Sequence, residues 1–263
     1  MAVGPGAGVH VHRFGSVADG SPAVGLHGWG GTHETFAPLV PHLPVHRGLV
    51  CPDLPGYGRS DEPAAWAWEA VARATHAALV EAGVREGAEV VGSCSGALLA
   101  LEIGRLRPGF FGRLVLVDPF AWMPWYFRLF TWPLLGPVAY WTAFENPVGR
   151  WITNGALAQR RAAGTDMTGS FAEQRSGTTL AYLRMLRRLQ GPAHFRGVAG
   201  DIVIVHGERT FSAVRAGLDA WRRALPVRVV VEAPGAGHLP IMEAPSLLSS
   251  LLWEETAGVR AGS

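Results

Sequence analysis

The stretch Ala88-Glu89-Val90-Val91-Gly92-Ser93-Cys94-Ser95-Gly96-Ala97 decides the fold. An apolar strand-sized run closes on Gly-x-Cys-x-Gly, and a helix-sized run, Ala97 to Arg105, opens directly beyond it. A strand that becomes a helix within so few residues needs a bend sharp enough to leave its central side chain exposed above a sheet. The central residue carries backbone strain and its neighbours must leave room. That explains glycine two positions before and after the centre, at 92 and 96. The central residue is Cys94, flanked by Ser93 and Ser95, whose side chains are expected to point elsewhere. The competing reading is a small-residue turn around a buried, inert cysteine, which is common behaviour for this residue type.

On both sides of the bend, strand-sized apolar runs alternate with helix-sized ones, the pattern of a mostly parallel α/β sheet. Val9 to His12 alternates like an early antiparallel strand, and Ala23 to Leu26 is a short strand ending in His27-Gly28-Trp29-Gly30-Gly31. Thr32 caps a helix to about Leu43. Arg47 to Cys51 is the next strand, the loop Asp53-Leu54-Pro55-Gly56-Tyr57-Gly58-Arg59-Ser60 follows, and a helix covers about Ala64 to Ala82. Leu114 to Val117 is a buried strand ending at Asp118. Asp201 to Val205 and Val227 to Val231 are later strands around a helix at Phe211 to Ala224. Pro245 to about Glu255 forms a closing helix. Between Pro119 and about Gly177 the alternation stops and aromatics crowd, with Trp122, Trp125, Trp132, Trp141 and Trp151 among them. This is expected to be a helical cap at 119–177, set between core segments 1–118 and 178–263. The helix Thr178 to Leu189 leads back to the sheet.

The chain has 263 residues, 48 % hydrophobic and 17 % charged, enough for one α/β domain with an insertion and a large core. Net charge is +2 and every basic residue is Arg. The arginines are scattered apart from doublets such as Arg187-Arg188 and Arg222-Arg223, so there is no basic stripe for nucleic acid. Arg150, Asp166 and Arg175 read as ordinary surface charges. Two cysteines, Cys51 and Cys94, make no disulfide framework, and Met1 to Gly8 carries no signal-peptide pattern. A cytoplasmic, reducing setting is expected, in which a free thiol survives. Phe120 to Phe144 is apolar but carries Arg128 and is cut by Pro124, Pro133 and Pro137, so it does not read as a membrane span. Weak contact of this stretch with a membrane surface is the milder expectation. Its aromatics read equally as a small helical core or as the wall of an apolar tunnel, with Trp122 and Trp125 as substrate-binding candidates.

The chain resembles the α/β-hydrolase superfamily, in a variant with cysteine at the nucleophile elbow. The features that carry the resemblance are His27-Gly28-Trp29-Gly30, the Asp53-to-Ser60 loop, Gly92-Ser93-Cys94-Ser95-Gly96, Val205-His206-Gly207-Glu208-Arg209 and Gly237-His238. They stand in the family's order across nearly the whole chain. The resemblance implies that His238 is the base that activates Cys94, with His27 orienting backbone and His206 in local packing. It implies backbone N–H donors from Trp29 and Ser95 as an oxyanion hole. The Trp29 side chain is large for that place and would also wall an acyl pocket. The Asp53-to-Ser60 loop marks the fold without being catalytic. The family's usual acid position falls on Thr210, which carries no carboxylate. Asp118, Glu208, or no acid at all are the alternatives; the structural reading of Asp118 is an N-cap with Pro119 after it.

The function expected is acyl transfer by a thioesterase-like hydrolase or an acyltransferase, through a Cys94 acyl-enzyme. The substrate would be a small ester or an acyl thioester, the latter carried on coenzyme A or a carrier protein. A non-hydrolytic lyase, cyclase or binding protein on the same fold, or a simple carboxylesterase, is the alternative. No cofactor and no metal ligand set is expected.

Overall fold

In a computed structural model of the chain, the described residues are 8–16, 21–161 and 167–253. Asp166 and the end of the expected closing helix at Glu255 lie outside them.

Seven strands form one sheet in the order β1-β3-β2-β4-β5-β6-β7. They are β1 (Val11–Gly15), β2 (Ala23–Leu26), β3 (Gly48–Pro52), β4 (Ala88–Ser93), β5 (Phe111–Val117), β6 (Asp201–Gly207) and β7 (Val227–Ala233). β1 runs antiparallel to β3 and every other pairing is parallel. The early strand therefore lies a little later than the alternation at Val9–His12 indicates. Asp53 N–H donates to the His10 carbonyl at 2.9 Å, so residue 10 still follows β3 without belonging to the strand.

The central strands are buried on both faces, which is why they read as apolar runs without polar alternation. Leu114, Leu116, Ile202 and Ile204 enter one core, while Val115, Val117, Val203 and Val205 enter the other. Helices α1 (Trp68–Glu81) and α2 (Ser95–Leu106) supply the first core. The second is closed by the 3₁₀ helix His33–His42 and by the last helix. Thr32 does cap His33–His42, its Oγ1 accepting the Glu34 N–H at 3.3 Å. Pro38 and Pro41 inside it remove the amide donors an α-helix would use, so the turn tightens to 3₁₀.

No strand intervenes between β5 and β6 among the described residues. The chain there forms short helices: α3 (Trp125–Arg128), α4 (Leu135–Tyr140), α5 (Pro147–Ala156) and α6 (Gly169–Ala172). The longer α7 (Ser176–Arg188) returns to the sheet. Asn146 caps α5 by accepting the Val148 and Gly149 N–H groups, and Pro147 sits at its first turn. Beyond β6 come α8 (Ser212–Ala224), α9 (Pro240–Glu243) and α10 (Pro245–Trp253). A small apolar cluster of Tyr140, Phe144, Phe171 and Leu180 joins the helical layer to Trp29 of the core. No helix among the described residues is long and apolar enough to cross a membrane.

Candidate active site

Cys94 stands between the end of β4 and the start of α2 with φ 51° and ψ −111°. A β-carbon-bearing residue takes a positive φ only where the surroundings force it. Here they do: the Cys94 N–H donates to the Val117 carbonyl at 2.8 Å, and its own carbonyl accepts the Ala97 N–H at 3.2 Å. The flanking glycines are required by close approach. A β-carbon at 92 would lie 2.7 Å from the Ala97 backbone, and one at 96 would fall on the Leu26 carbonyl. Cys94 is partly exposed, not sealed in the core.

His238 comes from the loop after β7 and lines the same cavity as Cys94. Its Nδ1 donates to Asp118 Oδ2 at 2.9 Å. Burial works against a charge on this ring. The Asp118 carboxylate, and then the nearby Cys94 thiol, outweigh it and raise the pKa to about 10. Phe120 and Phe211 pack against the ring, with centroids at 5.3 and 4.8 Å. The loop is gripped from the helical layer, since the His238 N–H donates to the Arg160 carbonyl at 2.8 Å.

Asp118 is fully buried at the end of β5 and has φ 47°. Its N–H donates to the Val205 carbonyl at 2.8 Å, and Oδ1 accepts the Gly207 N–H at 3.2 Å. Oδ2 takes both His238 and the Thr210 hydroxyl, the latter at 2.8 Å. Thr210, where the resemblance would place the acid, instead donates to the Asp118 carboxylate. Sequence reasoning treated Thr210 only as a missing acid; a buried hydroxyl there, 92 residues from Asp118, becomes meaningful only in three dimensions. Glu208 is elsewhere: it is exposed, and Oε2 accepts the Gly235 N–H at 2.6 Å.

His27 orients backbone. The Leu54 N–H donates to its Nε2 at 2.9 Å, so Nδ1 carries the proton and donates to the Gly28 carbonyl at 2.9 Å. Burial drives its pKa down to about 4. This fixes the turn that lays Gly28 against the elbow, where a β-carbon would lie 3.0 Å from the Ser93 carbonyl and 3.2 Å from Cys94 Cβ. Trp29 follows, its Nε1 donating to the Thr179 carbonyl at 2.8 Å and its ring packed on Phe127, Phe144 and Phe171. Ser95 opens α2, buried, with an Oγ that has no partner among the described residues. His206 is buried, with its Nδ1 3.2 Å from the Gly207 carbonyl.

A cavity of about 650 Å³ lies over Cys94 and His238. Its walls are mostly apolar and include Trp29, Phe120, Trp122, Phe127 and Leu186. Trp125, expected beside Trp122, does not line it. That side chain is 80 % exposed because α3 turns it outward onto Tyr126. His10, His33 and Asp53 have donor atoms within 4.8 Å of one another. Asp53 is already engaged, accepting from His33 N–H and Nδ1 at 2.8 Å and from the Arg59 N–H at 3.0 Å. Burial raises its pKa, but these bonds outweigh that and hold it below the ordinary carboxylate value. The set reads as bracing for the Asp53-to-Ser60 loop.

A sequence profile described as the Alpha/beta hydrolase family matches residues 23–250. The chain is 38 % identical over 98 residues to a pimeloyl-acyl-carrier-protein methyl ester esterase of Methylococcus capsulatus, a match spanning 37 % of each chain. It is 26 % identical over 252 residues to the enzyme of the same name from Aromatoleum aromaticum, covering 89 % of this chain and 97 % of the relative. Among solved structures, a hydrolase from Pseudomonas aeruginosa superposes with TM-score 0.76 at 16 % identity over 95 % of both chains. The enol-lactonase of Burkholderia xenovorans gives 0.74 at 15 % identity, covering 93 % of this chain and 94 % of the other. At such identities the likeness speaks for the fold alone.

Proposed function

The chain belongs to the Alpha/beta hydrolase family, and on that premise we propose that it is an esterase or thioesterase working through a Cys94 acyl-enzyme. One observation carries the reading: a partly exposed thiol at a strained bend, facing one cavity with a histidine that a buried carboxylate holds in place. Cys94 Sγ, its proton already held by His238, attacks the carbonyl carbon of an ester or thioester as a thiolate. The carbonyl oxygen becomes an oxyanion, accepted by the N–H groups of Trp29 and Ser95. Collapse breaks the bond to the leaving alcohol or thiol, which takes the proton from His238. Water then attacks the S-acyl enzyme with His238 as base, releasing acid and regenerating the thiol. An amine or hydroxyl in place of water would make the same site an acyltransferase. Asp118 keeps the imidazole oriented and favours its protonated form.

The relatives whose names describe an ester of a carrier-protein-bound acyl group support an ester substrate. An acyl carrier or coenzyme A thioester fits the same cavity chemistry. A cytoplasmic setting, in which both thiols stay reduced, suits the proposal. A non-hydrolytic role rests on Thr210 in place of an acid; Asp118, which accepts from both Thr210 and His238, supports the hydrolytic reading instead. Intact-mass spectrometry after incubation with acyl-coenzyme A donors and p-nitrophenyl esters tests the reading. An acyl adduct on residue 94, lost in Cys94→Ala, is expected, with turnover down roughly a thousandfold in His238→Ala. A thiol that iodoacetamide alkylates but no donor acylates would end it.

A further inference from the structure

Of the large apolar side chains that stand exposed in the described residues, eleven of fifteen fall between positions 122 and 152. All five tryptophans of this stretch are among them. The most open of these are Leu134 at 86 %, Trp125 at 80 % and Trp151 at 77 %. None of the ten residues of α5 is buried, yet Val148, Trp151 and Ile152 share one of its faces at helical spacing. It is an amphipathic helix whose apolar side stands largely open among the described residues. Leu129 and Ile152 meet in a shallow apolar hollow of about 370 Å³, so the exposed groups of α3 to α5 form a connected surface. A folded chain rarely leaves such an expanse to water without use.

The charges around this surface are mostly positive. Arg128 is exposed within it. Arg187 and Arg188 are exposed at the end of α7, and Arg187 donates to Thr131 Oγ1 at 3.1 Å, which sets it at the border. Glu145 is the single acid between residues 119 and 161. A second copy of the chain is disfavoured as the occupant, because a two-fold contact would set like arginines against one another. Tryptophan at the level of lipid headgroups, aliphatic groups deeper, and arginine facing anionic headgroups is the pattern of a helix lying in a bilayer interface. We infer that α3 to α5 seat this protein on an anionic lipid surface. Trp122 is both exposed and part of the cavity wall, so a ligand leaving the bilayer would meet the cavity there. This goes beyond the catalytic reading and does not depend on it.

The test is flotation of the full chain with vesicles of phosphatidylcholine alone and of equal parts phosphatidylcholine and phosphatidylglycerol. Binding to the mixed vesicles, with a blue shift of tryptophan emission, is expected. Arg128→Glu and Arg188→Glu should each weaken it about fivefold, as should added salt. The triple variant Leu134→Ser, Val148→Ser, Trp151→Ser should lose binding by about a hundredfold while its thermal midpoint and gel-filtration volume stay unchanged. No binding to either vesicle, equal binding to both, or binding kept by the triple variant would overturn the inference. So would a dimer in sedimentation that the triple variant dissolves, or retention of an acidic acyl carrier protein in place of vesicles.

Discussion

Asp118 and Thr210 come from two different strand ends and meet through one hydrogen bond. The carboxylate sits after β5 and the hydroxyl after β6, yet both oxygens meet at the same edge of His238. Asp118→Asn should lower kcat roughly a hundredfold by losing the charge that orients the ring. Moving the acid back, in the double variant Asp118→Asn, Thr210→Asp, should recover part of that loss. Steady-state kinetics on one ester decides both; unchanged activity in Asp118→Asn would remove the acid from the mechanism. His27 makes a separate prediction. Its unfolded pKa is about 6.5, and burial lowers the folded value to about 4. The unfolded chain therefore takes up the proton first, so this stability is present above about 6.5 and drains away as pH falls towards 4. Urea midpoints measured across that window should fall more steeply in the native chain than in His27→Asn.

At the level of elements, the elbow works because β4, α2 and the β2 turn crowd one point. Gly96 leaves no room for a methyl group against the Leu26 carbonyl, which belongs to the neighbouring strand and cannot yield. Gly96→Ala should cost at least about 2 kcal/mol, read as a lower urea midpoint, and the shift of α2 should slow acylation too. The same crowding aims the N-terminus of α2 at the space beside Cys94, where a developing oxyanion would be favoured by free N–H groups. Hydrogen bonds tie the helical layer to the site, among them the Trp29 indole to Thr179 and the Arg160 carbonyl to His238.

Taken as one molecule, the sheet carries the candidate site and the helical layer closes the cavity above it. The cavity holds about 650 Å³ between them and its walls are aromatic and aliphatic. An apolar acyl chain should therefore be preferred to acetyl. Each buried methylene is worth up to about fourfold in kcat/KM, so a p-nitrophenyl ester series from acetyl to octanoyl should climb before it levels. A flat series would show that the acyl chain does not occupy the cavity.

The bend at Cys94, the strand ends that bear His27, Asp118 and His238, and the doubly buried strands were legible along the chain. Each is a local pattern: glycine spacing around a turn, a strand-length apolar run, a polar residue where the run stops. Sequence separation hid the rest. Nothing in residues 207–210 announces that Thr210 serves a carboxylate on another strand, and no periodicity says that α3 faces Trp125 to solvent while Trp122 lines the cavity. Prolines at 38 and 41 were visible, but their tightening of the helix to 3₁₀ became plain only in the backbone. Local chemistry by itself determined which residues could react. The packing of distant segments decided which of them meet, because hydrogen bonds and close contacts depend on distance in space and not on distance along the chain.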